Sequence, residues 1–399
     1  MNISNLIKIN DVLKTYVEQK KVAGVNVLVY QDEKEIFYAQ NGFMNVEKKI
    51  PFNRDTICRL YSMTKPVTSV AAMILLENGK LDLGEEVSHY IPEFSNLMVC
   101  SQKGNAGKTY KSYKPLLIQD LLNMTSGYTY GGFGDNSTVG EVMTSELLND
   151  IDKDVMGENK ITTMEVAKKL AKIPVNFEPG TDYQYGLSAD ILGAVIEKAS
   201  GMKFSDFLKK NIFEPLGMKD TAFWVNPENQ KRLSFSYEEV PGKEMKKLDY
   251  PRLGIQPWMD HEPAFESGGA GLCSTLDDYM KFCLMLVNKG ELNGIRILQE
   301  KTVEYMTKAR LNPVVQKHFD EKMGHLSGYT YCNLNRIAIN PGECKVITEK
   351  EEFGWDGWLG PYMSVDIKNN LTIVMMMQKV NSGTWDLTRK VKNIIYSSI

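Results

Sequence analysis

Apolar residues near the N-terminus recur at the spacing of a helix. Leu6, Ile9, Leu13 and Val17 are three to four residues apart, so they would lie on one face of an amphipathic helix. We therefore predict a helix that packs this face against a core.

Segments typical of β-strands occur at both ends of the chain. Residues 24–31 (GVNVLVYQ) and 35–43 (EIFYAQNGF) are rich in β-branched and aromatic side chains and are joined by a polar turn. Residues 328–334, 361–367 and 371–378 have the same character. The last two are separated by KNN, which indicates a hairpin.

The middle of the chain is mostly helical in pattern. Residues 98–115 and 128–160 are richer in Gly, Lys, Ser and Asp, and we interpret them as long loops that could cover a cleft. The tyrosines of YKSYK and GYTYGGFGDN could rim that cleft, although solvated loops are the simpler interpretation. Periodicity predicts helices at 69–81, 117–127, 162–173, 187–201, 204–213, 276–290, 299–309 and 384–395.

Strands at both ends with helices between them predict an α/β (α+β) fold. An antiparallel sheet built from both termini and flanked by helices would form one domain, residues 1–60 and 261–399. A mostly helical domain, residues 61–260, would be inserted into it. The cleft between the two is the expected active site.

Composition is that of an ordinary globular protein. The 399 residues are 43% hydrophobic and 24% charged, with a net charge of −3. This balance gives no reason to expect a nucleic acid or an anionic membrane as partner. The N-terminus lacks the features of a signal peptide, and the longest apolar run, residues 70–76, is too short to span a bilayer. We therefore expect a cytoplasmic location.

Neither the cysteines nor the histidines have metal-ligand spacing. The six cysteines contain no CxxC pair, so we predict free thiols that pack as small apolar side chains. The four histidines are also dispersed. We predict no metal and no cofactor.

The segment 59–81, RLYSMTKPVTSVAAMILLENGKL, places a serine and a lysine at the start of an apolar helix. Ser62 and Lys65 are three residues apart, and Pro66 fits only in a first helical turn. The free N–H groups and positive dipole of a helix N-terminus would stabilise a developing alkoxide at Ser62, and a nearby lysine of lowered pKa could take its proton. The alternative is a helix cap followed by a solvated lysine.

Two further segments are candidates for the same site. Tyr185 follows a Pro-Gly turn and precedes a helix, so it could point into the cleft or be a core aromatic residue. In EEFGWDGWLGPYMSVD, Gly354, Gly357 and Gly360 lead into a strand. Glycine in such a position often marks close approach by a ligand, although a loosened edge strand is also possible.

Together the three segments resemble the penicillin-recognising serine hydrolases, which include serine β-lactamases, D-Ala-D-Ala peptidases and related esterases. The order is Ser-x-x-Lys, a tyrosine motif and a glycine-bearing strand. Segments LIQDLLNMTSGY, IFEPLGMKDTAFW and SGGAGLCSTLDDYMKF resemble the class C β-lactamase and family VIII carboxylesterase branch. The resemblance covers residues 10–397 and implies a β-lactamase/transpeptidase-like fold.

This resemblance also implies roles for individual residues. Ser62 would be the nucleophile that forms an acyl-enzyme, Lys65 its proton acceptor and hydrogen-bond anchor, and Tyr185 a proton shuttle. Whether Lys65 or Tyr185 is the general base is left open. The backbone N–H groups of Ser62 and Trp358 would form the oxyanion hole. No histidine occupies the three motifs, so a Ser-His-Asp triad is not supported.

Departures from the family pattern bear on the substrate. Leu187 stands where β-lactamases and peptidases have an asparagine, and Trp355-Asp356-Gly357 stands where they have Lys-Thr-Gly. Leucine cannot hold an acylamide chain, tryptophan supplies no cation, and an aspartate disfavours a substrate carboxylate. Asp356 could equally be held in a structural salt bridge. We count these four positions as candidate substrate-binding residues, with Trp355 and Trp358 forming an apolar acyl pocket.

The leading hypothesis is therefore a serine hydrolase of carboxylesterase type that acts on an uncharged or cationic small-molecule ester or amide. The first alternative is a D-amino-acid peptidase or amidase, a penicillin-binding protein or a β-lactamase. The second is a binding protein that retains the fold without catalysis.

Overall fold

The computed structural model describes residues 2–131, 137–240 and 244–399. Its strands are β1 (Gly24–Gln31), β2 (Lys34–Asn45), β3 (Ile50–Pro51), β4 (Cys58–Arg59), β5 (Met98–Cys100), β6 (Thr109–Lys111), β7 (Tyr237–Glu238), β8 (Lys246–Lys247), β9 (Cys273–Ser274), β10 (Glu291–Leu292), β11 (Ile295–Arg296), β12 (Tyr329–Cys332), β13 (Asn335–Ala338), β14 (Phe353–Gly354), β15 (Tyr362–Asp366) and β16 (Leu371–Met377).

The α-helices are α1 (Ile3–Leu6), α2 (Lys8–Glu18), α3 (Lys65–Glu77), α4 (Val87–Tyr90), α5 (Ile118–Leu122), α6 (Thr138–Met143), α7 (Asn149–Val155), α8 (Thr163–Leu170), α9 (Ser188–Ser200), α10 (Phe204–Leu208), α11 (Glu214–Leu216), α12 (Leu276–Val287), α13 (Glu300–Lys308), α14 (Pro313–Lys322) and α15 (Asp386–Tyr396). A 3₁₀ turn at Tyr61–Thr64 directly precedes α3.

The main sheet is antiparallel and joins the two ends of the chain, as the sequence predicts. Its eight strands lie in the order β12-β13-β14-β15-β16-β1-β2-β3. Strand β1 pairs with both β2 and β16, so Val27 lies opposite Ala39 on one side and Met375 on the other. The predicted α/β architecture is therefore confirmed.

The side chains of β1 alternate between the two faces of this sheet and are packed on both. Val25, Val27 and Val29 are buried with residues of α2 and α15, whereas Leu28 belongs to the larger core on the opposite face. Successive strand residues point to opposite faces, and burial of each such side chain stabilises the fold by roughly 1.5–3 kcal/mol. Asn26 is also buried, and its Nδ2 donates to the Asn53 carbonyl at 2.9 Å.

Helix α3 is the central helix of the region between the two ends of the sheet. Every residue from Lys65 to Leu75 is buried, which explains why the run is apolar almost without interruption. Helix α9 packs against it. The chain leaves the helix through Gly79, whose φ of +64° favours glycine.

Several segments differ from the sequence prediction. The predicted loop 128–160 contains α6 and α7, and residues 132–136 of it lie outside the described residues. The predicted loop 98–115 contains the β5–β6 hairpin, and the helix predicted at 117–127 ends at Leu122. Strands β13 and β14 were not predicted because they are only four and two residues long, and helix α14 was not predicted because it has little periodicity of its own.

All six cysteines are free thiols, and five of them are buried. Among the described residues, no helix has both the length and the apolar character needed to cross a bilayer.

Candidate active site

Ser62 and Lys65 meet at the turn that leads into α3. Ser62 lies in the 3₁₀ turn rather than in the helix itself, which begins at Lys65. A 3₁₀ turn aligns residues three apart, and the Lys65 Nζ donates to the Ser62 Oγ at 3.1 Å. The predicted contact is present. Tyr61, just before the serine, has a left-handed φ of +45°, a strained conformation of the kind found at functional turns.

The Lys65 ammonium is completely buried. Its side chain is 0% exposed, and Nζ also donates to the Tyr130 hydroxyl and to the Gly269 carbonyl, each at 2.8 Å. Burial lowers the pKa of Lys65 to about 7, against the opposing charges of Asp190 and Asp356. Lysine is therefore neutral in a large fraction of molecules near neutral pH, while its hydrogen bonds keep it in place.

Tyr185 is held on the other side of the serine hydroxyl. It lies just before α9, and its hydroxyl hydrogen-bonds with Ser62 and accepts from the Trp355 Nε1 at 2.8 Å. Burial raises the pKa of Tyr185 above its ordinary value. The Lys65 Nζ is 4.8 Å from the centre of its ring. The structure thus brings the three predicted catalytic side chains together.

A second tyrosine, Tyr130, occupies the same site and was not among the predicted catalytic residues. Its hydroxyl contacts Lys65 and hydrogen-bonds with Ser62, and its ring centre is 5.6 Å from that of Tyr185. Burial raises the pKa of Tyr130 well above its ordinary value. The only sequence signal was the tyrosine-rich loop GYTYGGFGDN, for which a solvated loop was the simpler interpretation.

Asp190 and the segment around Gly269 form a supporting layer behind Lys65. The Ser267 hydroxyl and the Gly269 N–H both donate to Asp190 Oδ1, the latter at 3.2 Å. A Cβ at Gly269 would lie 2.7 Å from Asp190 Oδ2, so glycine permits this approach. The carboxylate thereby orients the Gly269 carbonyl that Lys65 contacts.

The Trp-Asp-Gly-Trp segment passes directly beside the serine turn. A Cβ at Gly357 would lie 2.1 Å from the Leu60 carbonyl oxygen, so only glycine allows this contact. The Trp358 ring packs 5.0 Å from that of Tyr61. This approach brings the backbone of Trp358, the predicted second oxyanion-hole donor, next to the turn that carries Ser62.

Asp356 is engaged by hydrogen bonds rather than by the salt bridge considered from the sequence. Its Oδ2 accepts from the backbone N–H of Thr384 at 2.6 Å and from the Thr384 hydroxyl. Nearby, the Trp358 Nε1 donates to Asn381 Oδ1 at 2.6 Å. These bonds attach the Trp-Asp-Gly-Trp segment to the chain that precedes α15.

A cavity of about 870 Å³ opens in front of these groups. Leu187 does not line it: the side chain is 2% exposed and lies in the main core, because the turn into α9 directs it inward. Its prediction as a substrate contact does not fit this placement, and Gly357 packs on the serine turn instead. The cavity is lined by Ser62, Tyr130, Tyr185, Trp355, Asp356 and Trp358, among others, with Lys103 and Lys322 on its wall.

Among the residues that the structure describes, no group of three or more His, Cys, Asp or Glu side chains could hold a metal ion. His325 lines the cavity. The other histidines contact carboxylates: His89 with Glu85, His261 with Asp260 and His318 with Asp182.

This fold, with a serine, a lysine and a tyrosine in mutual contact at a cleft, defines the class of penicillin-recognising serine hydrolases and their esterase relatives. The chain belongs to the Beta-lactamase family, whose model matches residues 9–392.

Curated relatives include an esterase and an acyltransferase. Esterase EstB of Burkholderia gladioli is 27% identical over 69% of this chain and 68% of its own length. The ML-236A carboxylate methylbutanoyltransferase mlcH of Penicillium citrinum is 27% identical over 97% of this chain and 93% of its own length. Among solved structures, EstCE1, a hydrolase with promiscuous acyltransferase activity, matches with a TM-score of 0.82 at 22% identity over 99% of both chains, which shows the shared fold.

Proposed function

We propose that this protein is a serine hydrolase of carboxylesterase type that forms an acyl-enzyme at Ser62 on a small-molecule ester or amide. One observation carries the proposal. A completely buried lysine, with its pKa lowered to about 7, lies 3.1 Å from the serine hydroxyl at the wall of a large cavity. A buried charge without such a task would be an unnecessary cost to stability.

Lys65 is proposed as the base of acylation. In its neutral form it has two N–H bonds, which can donate to Tyr130 and to the Gly269 carbonyl, its two partners at 2.8 Å. The remaining lone pair faces the Ser62 hydroxyl. The serine proton moves to Lys65 as the serine oxygen bonds to the substrate carbonyl carbon. The backbone N–H groups of Ser62 and Trp358 would stabilise the resulting oxyanion.

Tyr185 is proposed to protonate the leaving group. Its oxygen accepts the indole N–H of Trp355, which leaves its own O–H available as a donor. Since burial raises the pKa of Tyr185, the phenol stays protonated at neutral pH. When it gives its proton to the departing alcohol, the proton held by Lys65 can replace it. In deacylation, water gives a proton to the same groups as its oxygen bonds to the acyl carbon. The bond from this carbon to the Ser62 oxygen then breaks, the serine oxygen takes that proton, and the acid is released.

The proposed substrate is uncharged or cationic around the reacting carbonyl. Trp355 offers a single neutral N–H, and that N–H is occupied by Tyr185, so it cannot bind a substrate carboxylate. Asp356 lies on the same wall and opposes an anion there. The esterase and acyltransferase relatives support an acyl-enzyme resolved by water or by an alcohol. A D-amino-acid peptidase or β-lactamase remains the alternative.

The first experiment tests the nucleophile. The protein is treated with a fluorophosphonate probe and analysed by intact mass. Wild type should gain one adduct, and Ser62→Ala should gain none. Ser69→Ala is a matched control, because Ser69 is a buried serine of α3 whose hydroxyl has no partner among the described residues. If wild type remains unlabelled while folded, the binding-protein alternative replaces this proposal.

The second experiment tests the substrate class. Turnover of short p-nitrophenyl esters is compared with that of nitrocefin and a D-Ala-D-Ala peptide. We expect ester turnover to exceed the other two by at least roughly 100-fold in kcat/KM, a difference of about 3 kcal/mol in transition-state binding. Efficient nitrocefin cleavage without esterase activity would reverse the order of the candidates.

A further inference from the structure

A buried cluster beneath α15 contains more positive than negative charge. Arg336 of β13 and Lys392 of α15 both pair with Glu352, at 3.0 Å and 2.9 Å, and their side chains are 1%, 2% and 0% exposed. Burial opposes ionisation of Glu352, but the charges of Lys392 and Arg336 outweigh it and lower the pKa of Glu352 to about 2. Two cations therefore share one carboxylate.

Glu352 has no capacity left to balance the second cation. Its Oε1 accepts from Arg336 and Ser364, and its Oε2 accepts from Lys392 and Thr348. Two other carboxylates act on this region: Asp366 is hydrogen-bonded by Tyr396 and Asn369, and Asp356, whose charge raises the pKa of Arg336, accepts from Thr384. Together with Lys345 and Arg389, which line the adjoining cavity, four cations face these three carboxylates. A charge without a counter-ion is costly in a buried site, so the excess points to a group not supplied by these residues.

A small cavity lies directly beside the cluster. Its volume is about 20 Å³, slightly more than the roughly 10–15 Å³ that one water molecule needs. Two side chains that line it have a buried polar atom without a partner among the described residues, namely Arg336 Nη1 and Thr388 Oγ1. Each is a hydrogen-bond donor, which is what an anion requires.

The rim of this cavity is also cationic. Lys345 and Arg389 line it together with His325. Burial lowers the pKa of His325, and the charges of Lys345 and Arg389 lower it further against the opposing charge of Asp356. No Asp or Glu is found among the described lining residues.

We propose that this cavity binds a small monovalent inorganic anion of the chloride type. The anion would accept hydrogen bonds from Arg336 Nη1 and Thr388 Oγ1 and would balance the excess positive charge of the cluster and the rim. A water molecule would satisfy the donors but not the charge, and a site this small favours a monatomic anion over sulfate or phosphate.

Anion binding would fasten the start of α15 to the sheet. Thr388 and Arg389 belong to the helix, whereas Arg336 belongs to β13. Arg389 Nη1 also donates to the Thr384 carbonyl at 3.0 Å. The expected effect is therefore on stability, and this inference is independent of the acyl chemistry at Ser62.

The test compares thermal unfolding in sodium chloride and in sodium gluconate at equal ionic strength, because gluconate is too large for the cavity. Saturating chloride should raise the Tm of wild type by about 3 °C. Thr388→Val and Arg389→Gln should each raise the chloride concentration at half-effect at least roughly fivefold. Arg296→Gln, which removes an arginine paired with Glu291 at the surface, should leave it unchanged.

Crystals soaked in bromide should give an anomalous peak within hydrogen-bonding distance of Arg336 Nη1. Equal Tm values in the two salts would overturn the proposal. A chloride response that is unchanged in both cavity variants, or a bromide peak only elsewhere, would also overturn it. Arg389→Gln keeps the test valid should Thr388→Val fail to fold, because Arg389 is only partly buried at the rim.

Discussion

The protonation state of Lys65 at neutral pH is the most consequential prediction, because the proposed mechanism requires a neutral amine. Its pKa is lowered from the ordinary 10.5 to about 7 by burial. About half of the molecules would then be competent at pH 7, against roughly one in three thousand for an ordinary lysine. We expect kcat/KM for an ester to rise tenfold per pH unit below about pH 7 and to level off above it.

The same pKa has a consequence for stability whose sign is opposite to that of most lysines. Between about pH 7 and 10.5 the unfolded state holds a proton that the folded state has lost, so the free energy of unfolding rises with pH in this window. At about 1.4 kcal/mol per pH unit, the full effect is about 5 kcal/mol. Below pH 7 the penalty for burying the ammonium is fully present.

Lys65→Met isolates this contribution, since methionine fills similar space without a titrating group. Urea unfolding of both proteins at pH 7 and pH 9.5 should show wild type gaining about 3 kcal/mol more than the variant. In the difference between the two proteins, the contributions of the other titrating groups to the pH dependence of stability cancel. A stability difference independent of pH, together with a kcat/KM that is flat from pH 6 to 8.5, would refute the assignment of Lys65 as the base.

Three further substitutions test the groups around the lysine. Asp190→Asn removes a charge that raises the lysine pKa, so the acid limb of the kcat/KM profile should move to lower pH by roughly one unit. Trp355→Phe removes the N–H bonded to Tyr185 and should lower kcat about tenfold with little change in KM, measured with a p-nitrophenyl ester. Gly357→Ala forces a Cβ to 2.1 Å from the Leu60 carbonyl and should lower kcat/KM at least roughly 100-fold and lower Tm.

Two of these variants have a matched control. Gly324→Ala is neutral by design, because Gly324 has no left-handed φ and a Cβ there meets no atom within 4 Å. Equal losses of kcat/KM in Gly324→Ala and Gly357→Ala would contradict the inference that activity depends on the close approach of Gly357 to the Leu60 carbonyl. Trp224→Phe changes a tryptophan outside the active-site cavity, and an equal loss of kcat in it would show that the effect of Trp355→Phe is not specific. If the acid limb of the kcat/KM profile does not move in Asp190→Asn, the charge of Asp190 does not affect the pKa of Lys65.

Local sequence patterns were sufficient to predict most of the long helices and strands and the contact of Ser62 with Lys65. The apolar run of α3, with Pro66 in its first turn, predicts a buried helix, and the i, i+3 spacing predicts the contact of Ser62 with Lys65. Helix α14 was missed because only Val315 and Phe319 are buried in it, too few for a period. Its start signal, Asn312 before a proline, was present in the sequence.

The remaining parts of the site depend on contacts between distant segments, which no local pattern encodes. Tyr130 lies in a segment whose composition is that of a loop, and it is buried in contact with Lys65 and Tyr185, which come from distant segments. Asp190 looks like an ordinary first-turn acid of α9. Its role depends on the approach of the Gly269 backbone, 79 residues away in sequence.

Trp355 illustrates how one replacement changes both the chemistry and the substrate. At this position the β-lactamase pattern has a lysine, whose ammonium can bind a substrate carboxylate. An indole has one N–H and no charge, and here that N–H is bonded to Tyr185. Tyr185 therefore accepts an oriented N–H but has no cation at position 355 to lower its pKa, so it should act as a proton donor rather than as a phenolate base. The same exchange leaves no cation at this position for an acidic substrate. The proposed base and the proposed substrate class therefore both depend on this single tryptophan.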